Sequence, residues 1–463
     1  MILPDDTIVA IATPIGEGGI SVIRISGKES IIIADRGFKG KVSPNKARTH
    51  TLHFGKFVDE NNELIDEVVI GIFKAPNSYT GENVIEISCH GGIYIVQRIL
   101  ETILKLGARQ ADPGEFTKRA FLNGRIDLSQ AEAIAELIKS RSEASRRASM
   151  NQLQGKLSEK IAEIREKLID LCGLIELELD FGSEDNHVVE RSKIIKSVNA
   201  IIEDIKSLNS SYLSGRVYRE GIKVVITGRP NVGKSSIFNN ILKNERAIVT
   251  AIAGTTRDTI EGDILINGVL FRIIDTAGFR KTENLIEIHG QLRTQKEIEG
   301  ADIILLAMNA TDGLVEEDKV LLDKIISDKV SCKNIIMVWN KIDLTDKQYL
   351  LELPALKYPS LFVSALTGEG IDKIKEEIKN LLLNQTISST DNSVVVTNIR
   401  HVQCLTQASL NLNNAINGIR LRNGNELIAL DIRSAINSLA EITGYLTTDD
   451  VLENIFSKFC VGK

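Results

Sequence analysis

The stretch that decides the fold is Gly228–Ser235, which reads GRPNVGKS and lies between an apolar run at 222–227 and a predicted helix. Its glycines allow backbone N–H groups to turn inward around phosphate oxygens. In such a loop the lysine, Lys234, reaches the outer phosphates, and the serine hydroxyl of Ser235 binds magnesium. Because the complete pattern lies between a predicted strand and a predicted helix, a chance glycine-rich turn is only a remote alternative. The stretch therefore predicts a nucleotide-binding α/β domain.

Four further motifs follow in order: Ala253–Asp258 (AGTTRD), Asp275–Gly278 (DTAG), Asn340–Asp343 (NKID) and Ser364–Leu366 (SAL). A threonine in the first suits a second magnesium ligand. The aspartate and the last glycine N–H of the second suit magnesium and the γ-phosphate. The Asp343 carboxylate can accept both N1–H and the amino group of guanine, a donor pair that adenine lacks. The last three motifs end predicted strands, where open α/β sheets bind ligands, so the set predicts a GTPase.

Two residues narrow the class of GTPase. Phe279 directly follows the DTAG motif, where many GTPases place a glutamine that orients water. Another group must therefore position the water. Asn231 lies inside the phosphate loop, where it is either a turn former or a carbonyl ligand for a monovalent cation. Such a cation could neutralise charge in the transition state.

Composition excludes several classes of protein. The length of 463 residues suggests about three domains, and a net charge of −6 gives no overall basic field for nucleic acid. The five cysteines form no CxxC pair, which argues against a zinc ribbon and a disulfide framework. No apolar run approaches the ~18 residues of a membrane span, and the acidic start is unlike a signal peptide. We expect a cytoplasmic protein.

The hydrophobic pattern divides the chain into four parts. Residues 1–122 alternate short apolar runs with turns, as in an α+β domain. Residues 123–215 and 383–463 repeat apolar side chains every three or four positions, and 216–382 has the α/β pattern. Because each helical flank has an apolar stripe that needs a partner, we favour one helical domain interrupted by the α/β domain. Two separate helical modules are the alternative.

The joint order of several short motifs resembles the TrmE-type family of tRNA-modification GTPases over the whole chain. These motifs are Thr7–Ala10, Ala12–Pro14, Gly18–Ile20, Pro76–Glu82, Cys89–Gly92, Pro113–Gly124, Asp127–Ala133, Asp180–Phe181 and Phe459–Lys463. The resemblance implies an N-terminal folate-binding domain that dimerises, a discontinuous helical domain, and an inserted Ras-like P-loop G domain.

The resemblance also implies partners and chemistry. Family members form a homodimer, and a heterotetramer with the FAD-dependent protein MnmG. The complex adds an aminomethyl or carboxymethylaminomethyl group to C5 of the wobble uridine of certain tRNAs. The one-carbon unit comes from a 5-formyl- or methylene-type tetrahydrofolate. GTP hydrolysis depends on K⁺ as well as Mg²⁺ and on G-domain dimerisation.

The family's functional residues carry over to matching positions. The expected catalytic residues are Lys234, Asp275 and Glu287, the last of which orients the attacking water through a second water. Magnesium is expected on Ser235 and Thr256, potassium on Asn231, Thr250, Ile252 and Thr255, and folate on Arg24, Glu82, Arg125 and Lys463. The expected GTP contacts are Asn231, Val232, Gly233, Lys234, Ser235, Ser236, Thr250, Ala251, Ile252, Ala253, Gly254, Thr255, Thr256, Asp275, Thr276, Ala277, Gly278, Asn340, Lys341, Asp343, Ser364, Ala365 and Leu366.

Simpler interpretations stand beside these roles. Arg24 and Glu82 could form a surface ion pair, and Cys460 could be a small buried apolar residue instead of a thiol at a ligand pocket. Glu287 could be a solvated acid. His90 has no evident carboxylate partner in sequence, which favours a turn or core position. For the whole chain, the alternatives are a ribosome-assembly or regulatory GTPase that binds RNA, and a folate-dependent one-carbon transferase with a regulatory G domain.

Overall fold

The structure is a computed structural model that describes residues 6–181, 191–243, 260–266, 268–276, 295–327, 334–350, 357–383 and 394–463. The chain forms two compact units. The first unit comprises Met1–Ile138, Met150–Ile205 and Gln403–Lys463, and the second comprises Lys139–Ser149 and Lys206–Val402. The first unit therefore draws on sequence from both sides of the second. The domain boundaries given above stay predictions.

The first unit contains a seven-stranded sheet in the order β3-β4-β5-β6-β2-β1-β7. Its strands are β1 Ile8–Ile11, β2 Gly18–Ser26, β3 Phe38–Gly40, β4 Thr51–Val58, β5 Leu64–Phe73, β6 Val84–Gly91 and β7 Arg109–Gln110. Neighbouring strands are antiparallel except β1 and β7, which are parallel. Helices α1 (Ser30–Gly37) and α2 (Ile93–Lys105) add apolar side chains to the core of this sheet. The short apolar runs of residues 1–122 thus form strands, and the sheet with its helices confirms the α+β pattern expected for this part of the chain.

The next five helices follow this sheet in sequence. They are α3 Glu115–Leu122, α4 Leu128–Lys139, α5 Glu143–Leu153, α6 Lys156–Phe181 and α7 Arg191–Ser210. Ile161, Ile164 and Leu168 on α6 are fully buried, as the helical period predicted.

Three more helices follow near the end of the chain: α13 Ile399–Arg420, α14 Asn425–Thr443 and α15 Asp449–Phe456. Helix α14 packs along α6, so apolar stripes from two distant parts of the chain bury each other. The spacing of Thr447 and Asp450 is that of a capping box, a sequence signature of a helix start; a helix does start here, but the capping box does not form. Helix α15 begins after Thr448, which makes no side-chain cap hydrogen bond. Asp449 and Asp450 lie in the first turn, where carboxylates favour the positive end of the helix dipole.

The second unit contains a six-stranded sheet in the order β13-β12-β11-β8-β10-β9. The strands are β8 Ile222–Thr227, β9 Ile260–Ile266, β10 Val269–Asp275, β11 Ile303–Asn309, β12 Asn334–Asn340 and β13 Ser360–Phe362. The helices are α8 Tyr212–Glu220, α9 Lys234–Lys243, α10 Glu316–Ser327, α11 Lys347–Leu350, α12 Ile371–Leu383 and a 3-10 turn at Ile342–Leu344.

All strand pairs of this sheet are parallel except β9 with β10. These two form a hairpin, with Ile266 opposite Val269 and Gly268 at φ +77°. An Asn-Gly pair between apolar runs, as at 267–268, predicts such a turn from sequence. Asn267 itself lies outside the described residues. The central strand β8 lies between β10 and β11. After β8 the chain forms β9 and β10 on one side of it, and then crosses to β11 on the other side. The carboxyl end of β8 is therefore the point where open α/β sheets bind ligands.

Within the described ranges, no helix is both long and apolar enough to cross a membrane.

Candidate functional site

The loop after β8 adopts a shape that its glycines and asparagine permit. Gly228 has φ +147°, and a Cβ at this position would clash with the carbonyl oxygen of Ala307. Gly233 has φ +93°, and a Cβ there would clash with Nδ2 of Asn340. Asn231 lies in the left-handed region at φ +63°, where asparagine is among the residues most often found. The motif therefore requires glycine at 228 and 233 for space as well as for backbone angle.

Lys234 and Ser235 begin helix α9 with their side chains in the loop. The Lys234 Nζ donates to the carbonyl oxygens of Gly228 and Arg229, each at 2.8 Å. The Ser235 Oγ donates to Asp275 Oδ2 at 2.5 Å. Asp275 is fully buried at the carboxyl end of β10. The start of α9 thus combines an ammonium group, a hydroxyl–carboxylate pair and helix N–H groups, a combination suited to an anion with a magnesium ion.

The NKID and SAL motifs meet beside this loop. The Asn340 Nδ2 donates to Val232 O at 2.8 Å, and its Oδ1 accepts from Ala365 N at 2.9 Å. Asn340 is buried. Through these two hydrogen bonds its amide joins the loops after β8, β12 and β13. The Ser364 Oγ donates to Asp343 Oδ1 at 2.5 Å and orients this exposed carboxylate. This geometry suits recognition of a base with two adjacent donors.

The structure brings the described nucleotide residues together at the carboxyl ends of β8, β10, β12 and β13. They are Asn231, Val232, Gly233, Lys234, Ser235, Ser236, Asp275, Thr276, Asn340, Lys341, Asp343, Ser364, Ala365 and Leu366. The Thr276 Oγ1 donates to Ile226 O at 2.9 Å, which ties the DTAG segment to β8. The predicted residues Thr250, Ala251, Ile252, Ala253, Gly254, Thr255, Thr256, Ala277, Gly278 and Glu287 lie outside the described residues, as does Phe279.

Sequence reasoning assigned no role to Arg229 of the phosphate loop. Its Nε donates to Asp318 Oδ1 at 2.8 Å and its guanidinium also reaches Asp312 Oδ2 at 3.2 Å. Asp318 lies on α10 and is fully buried. No local signal could have revealed this ion pair, because its partners are separated by 89 positions in sequence.

A second group of predicted residues lies in the first unit. Arg24 donates through Nε and NH2 to Glu86 Oε1, at 2.9 and 2.7 Å, and through NH1 to Gly462 O at 3.3 Å. Its guanidinium lies over the ring of Tyr79, 4.8 Å from the centroid. Burial, followed by the charge of Arg24, lowers the pKa of Lys463. The last two residues of the chain therefore lie beside Arg24.

Glu82 lies in a separate charged cluster. It accepts from Ser26 Oγ at 2.7 Å and from Arg119 NH1 at 3.2 Å. Arg24 and Glu82 thus have different partners, and their interpretation as a surface ion pair was wrong. Arg125 is exposed, and no hydrogen bond between described residues joins its side chain to Arg24, Glu82 or Lys463.

Arg119 is the centre of that cluster and was missed by sequence reasoning. Its side chain is 1% exposed, and its NH2 donates to Asp6 Oδ1 at 2.7 Å and Glu115 Oε1 at 3.0 Å. Burial opposes the charged form of Arg119, but the charges of Glu82, Glu115 and Asp6 outweigh it and raise its pKa. Burial likewise acts against ionised Glu115, yet hydrogen bonds from Arg109 and other donors lower its pKa.

Two further expectations needed correction. Cys460 is exposed, which contradicts its interpretation as a buried apolar residue. His90 lies on β6 with a largely exposed side chain, and its Nδ1 is 2.7 Å from Asp66 Oδ1. The expected turn or core position was therefore wrong. The carboxylate comes from β5, which the strand pairing brings alongside.

Comparisons with known proteins cover nearly the whole chain. Residues 128–460 match the family model described as the MnmE helical domain, and residues 7–125 match that of the GTP-binding protein TrmE N-terminus. The tRNA modification GTPase MnmE of Flavobacterium johnsoniae is 43% identical over 465 residues, covering 99% of each chain. That of Thermoanaerobacter pseudethanolicus is 42% identical over 463 residues, again covering 99% of each.

A solved structure of Era in complex with MgGDPNP and nucleotides 1506–1542 of 16S ribosomal RNA is also similar in part. It is 26% identical over 41% of this chain and 66% of that chain, with a TM-score of 0.29. A score at this level carries no inference.

Proposed function

The chain belongs to the MnmE family of tRNA modification GTPases, and we propose that it binds and hydrolyses GTP at the carboxyl edge of its six-stranded sheet to drive uridine modification in tRNA. One observation carries the proposal. The loop Gly228–Ser235, the Asp275 carboxylate and the Asn340–Asp343 and Ser364–Leu366 motifs meet at the ends of four strands. Phosphate and guanine recognition thus lie side by side.

Each recognition group has a definite task. Lys234 places its ammonium at the β- and γ-phosphates, and the loop N–H groups bind phosphate oxygens. Asp343 accepts from N1–H and the amino group of guanine, while the Ser364 hydroxyl holds the carboxylate in that orientation. Asn340 holds the two halves of the site together through Val232 and Ala365.

The residues present fit a magnesium ion. Ser235 Oγ and Asp275 Oδ2 are adjacent oxygen donors, the ligand type that Mg²⁺ prefers together with substrate phosphates. Ser235 and Thr256 would hold the ion, and Asp275 would orient the Ser235 hydroxyl through its hydrogen bond. When bound, magnesium neutralises charge on the β- and γ-phosphates.

Family membership supports a second cation, K⁺, held by Asn231 with Thr250, Ile252 and Thr255. The left-handed backbone at position 231 is one that asparagine adopts more readily than most residues, so the loop accommodates an asparagine at this position. Glu287 positions the attacking water, because Phe279 replaces the glutamine of other GTPases. Dimerisation of G domains completes the site, and this chain acts as a homodimer.

The first unit contains the residues that we propose for folate binding in the tRNA modification reaction. Arg24 and Lys463 are adjacent cations that suit the carboxylates of a tetrahydrofolate derivative, and the Tyr79 ring packs against the Arg24 guanidinium. Glu82 and Arg125 contribute further polar groups. With the FAD-dependent partner MnmG, the chain adds an aminomethyl or carboxymethylaminomethyl group to C5 of the wobble uridine.

Deletion of the gene and complementation test this function. Mass spectrometry of total tRNA should show loss of the modified wobble uridine in the deletion strain and its return with the wild-type gene. A Lys234→Ala gene should not restore it, whereas Arg216→Gln, a change at the amino end of the same sheet, should. Unchanged modification in the deletion strain would favour a ribosome-assembly or regulatory GTPase.

A hydrolysis measurement and a binding measurement test the cofactors. GTP hydrolysis should fall steeply when sodium replaces potassium, and equal rates in the two salts would remove the proposed role of Asn231. The full chain should bind 5-formyltetrahydrofolate, and Arg24→Gln should weaken that binding without altering GTP affinity.

A further inference from the structure

The side chain of Arg229 joins the phosphate loop to the segment that follows β11. Its guanidinium contacts Asp318 Oδ1 at 2.8 Å, Asp312 Oδ2 at 3.2 Å and Glu317 Oε2 at 3.8 Å. Asp312 is itself held by Asn309 Nδ2 and Thr311 Oγ1, each at 2.9 Å. The loop is thereby attached through one side chain to residues at the end of β11 and the start of α10.

Both side chains of the Arg229–Asp318 ion pair are largely buried. The Asp318 side chain is 0% exposed and that of Arg229 is 17% exposed. Burial raises the pKa of Asp318, although the hydrogen bond and charge of Arg229 act in the opposite direction. Because a buried carboxylate needs a paired cation or a proton, the position of the guanidinium is tightly specified.

The backbone of the same residue contacts the lysine of the loop. The carbonyl oxygen of Arg229 accepts from Lys234 Nζ at 2.8 Å, beside the carbonyl of Gly228. A shift of the backbone at Arg229 would therefore shift one of the acceptors that orient the Lys234 ammonium.

We propose that Arg229 is a positioning residue for phosphate binding: its ion pairs with Asp318 and Asp312 fix the loop backbone and, through the Arg229 carbonyl, the ammonium of Lys234. The inference rests on the assignment of Gly228–Ser235 as the phosphate loop proposed above. Arg229 acts on GDP and GTP alike, because the loop that it orients binds the phosphates that both nucleotides share.

Equilibrium titration of the full chain with a fluorescent GDP analogue tests the inference. Arg229→Gln should weaken GDP binding by roughly tenfold, about 1.4 kcal/mol, and raise KM for GTP more than it lowers kcat. Arg229→Lys should give a smaller loss, since a lysine can approach one carboxylate but lacks the planar fork that reaches two.

Arg216→Gln is the matched control. Arg216 NH2 is 2.6 Å from Asp302 Oδ1, and Asp302 Oδ2 accepts from the N–H of Lys223 at the start of β8. This ion pair is in the same unit but at the opposite end of β8 from the phosphate loop. Its loss should lower the melting temperature while leaving GDP affinity unchanged. Equal GDP affinities of Arg229→Gln and Arg216→Gln would overturn the inference.

A double variant separates positioning from general stability. Asp318→Asn added to Arg229→Gln removes the buried charge, so the melting temperature should recover while GDP binding stays weak. Recovery of affinity together with stability would overturn the inference. If Arg229→Gln does not fold, Asp312→Asn tests the same role of Arg229. We expect this variant to lose GDP affinity by roughly threefold, and wild-type affinity would overturn the inference.

Lys234→Ala distinguishes the assignment of the phosphate loop from the positioning role of Arg229. Wild-type GDP affinity in this variant would contradict the phosphate-loop assignment itself, and the inference with it. A large loss in Lys234→Ala with none in Arg229→Gln would contradict only the role of Arg229.

Discussion

The phosphate-loop site of the six-stranded sheet and the two charged clusters of the seven-stranded sheet, around Arg24 and around Arg119, are built in different ways. In the first, each functional group belongs to a short motif that directly follows a strand, such as Gly228–Ser235 after β8. In the second, Arg24 meets Gly462, 438 positions away, and Glu82 meets Arg119. The first site is local in sequence, whereas the second is assembled from remote segments.

This difference predicts how each site responds to substitution. Side chains of the local site act mainly on a ligand, so their loss should alter nucleotide binding more than stability. The buried ion pairs of the clusters in the first unit also hold that unit together, so their loss should first lower the free energy of unfolding. Substitutions can test this contrast.

The largest effect on nucleotide binding is expected for Asp343→Asn. The amide replaces one acceptor for guanine by a donor, so GDP affinity should fall on the order of a hundredfold, with affinity for XDP rising instead. Titration with both nucleotides measures the change in preference, and urea unfolding should be nearly unaffected. Asp346→Asn, at a neighbouring exposed carboxylate, serves as the control. An unchanged preference for GDP would contradict guanine recognition by Asp343.

Arg119→Met should produce the largest loss of stability. It removes the cation that contacts Asp6, Glu82 and Glu115 together and leaves Arg109 to pair with Asp6 and Glu115, which costs about 3–5 kcal/mol in the free energy of unfolding. Urea unfolding measures this loss, and GDP affinity should stay at the wild-type value. The exposed Arg146→Met, which breaks a surface pair with Glu143, should be nearly neutral. Equal stability of the two variants would contradict the contrast between the sites.

Gly233→Ala should affect both properties. A Cβ at φ +93° costs about 1–3 kcal/mol in backbone strain and displaces the Asn340 amide that binds Val232. We expect a lower melting temperature and weaker GDP binding. Gly173→Ala on α6 is the control, since a Cβ there meets no atom within 4 Å and alanine favours a helix. Wild-type GDP affinity in Gly233→Ala would show that the loop tolerates the movement.

The smallest effect concerns Lys463. Burial and the charge of Arg24 lower its pKa below that of the unfolded chain, so the unfolded state binds more protons just below pH 10. Stability should therefore rise with pH through the folded-state pKa of this lysine. Lys463→Gln should remove that rise and slightly stabilise the fold at pH 8, as urea unfolding between pH 8 and 10.5 can show. Lys458→Gln, an exposed lysine on the same tail, should retain the rise.

The sequence by itself determined the elements and much of the nucleotide site. The apolar runs at β1, β2, β5 and β6, the hairpin at Gly268 and the stripe on α6 were all predictable. The reason is that strand and helix periodicity depend on neighbours in sequence, and the phosphate loop is a single strand–turn–helix segment. The order of motifs also predicted that they meet at one sheet edge, because parallel strands share that edge.

Only the tertiary structure decided the long-range ion pairs. Arg229 with Asp318, Arg119 with its carboxylates, and His90 with Asp66 join residues whose spacing in sequence carries no signal. The same holds for the end of the chain, where Gly462 at φ +93° passes so close to Ile11 O that a Cβ would clash. A charge pairs with whichever group the strand order and helix packing bring within about 3 Å, and burial makes that pairing obligatory.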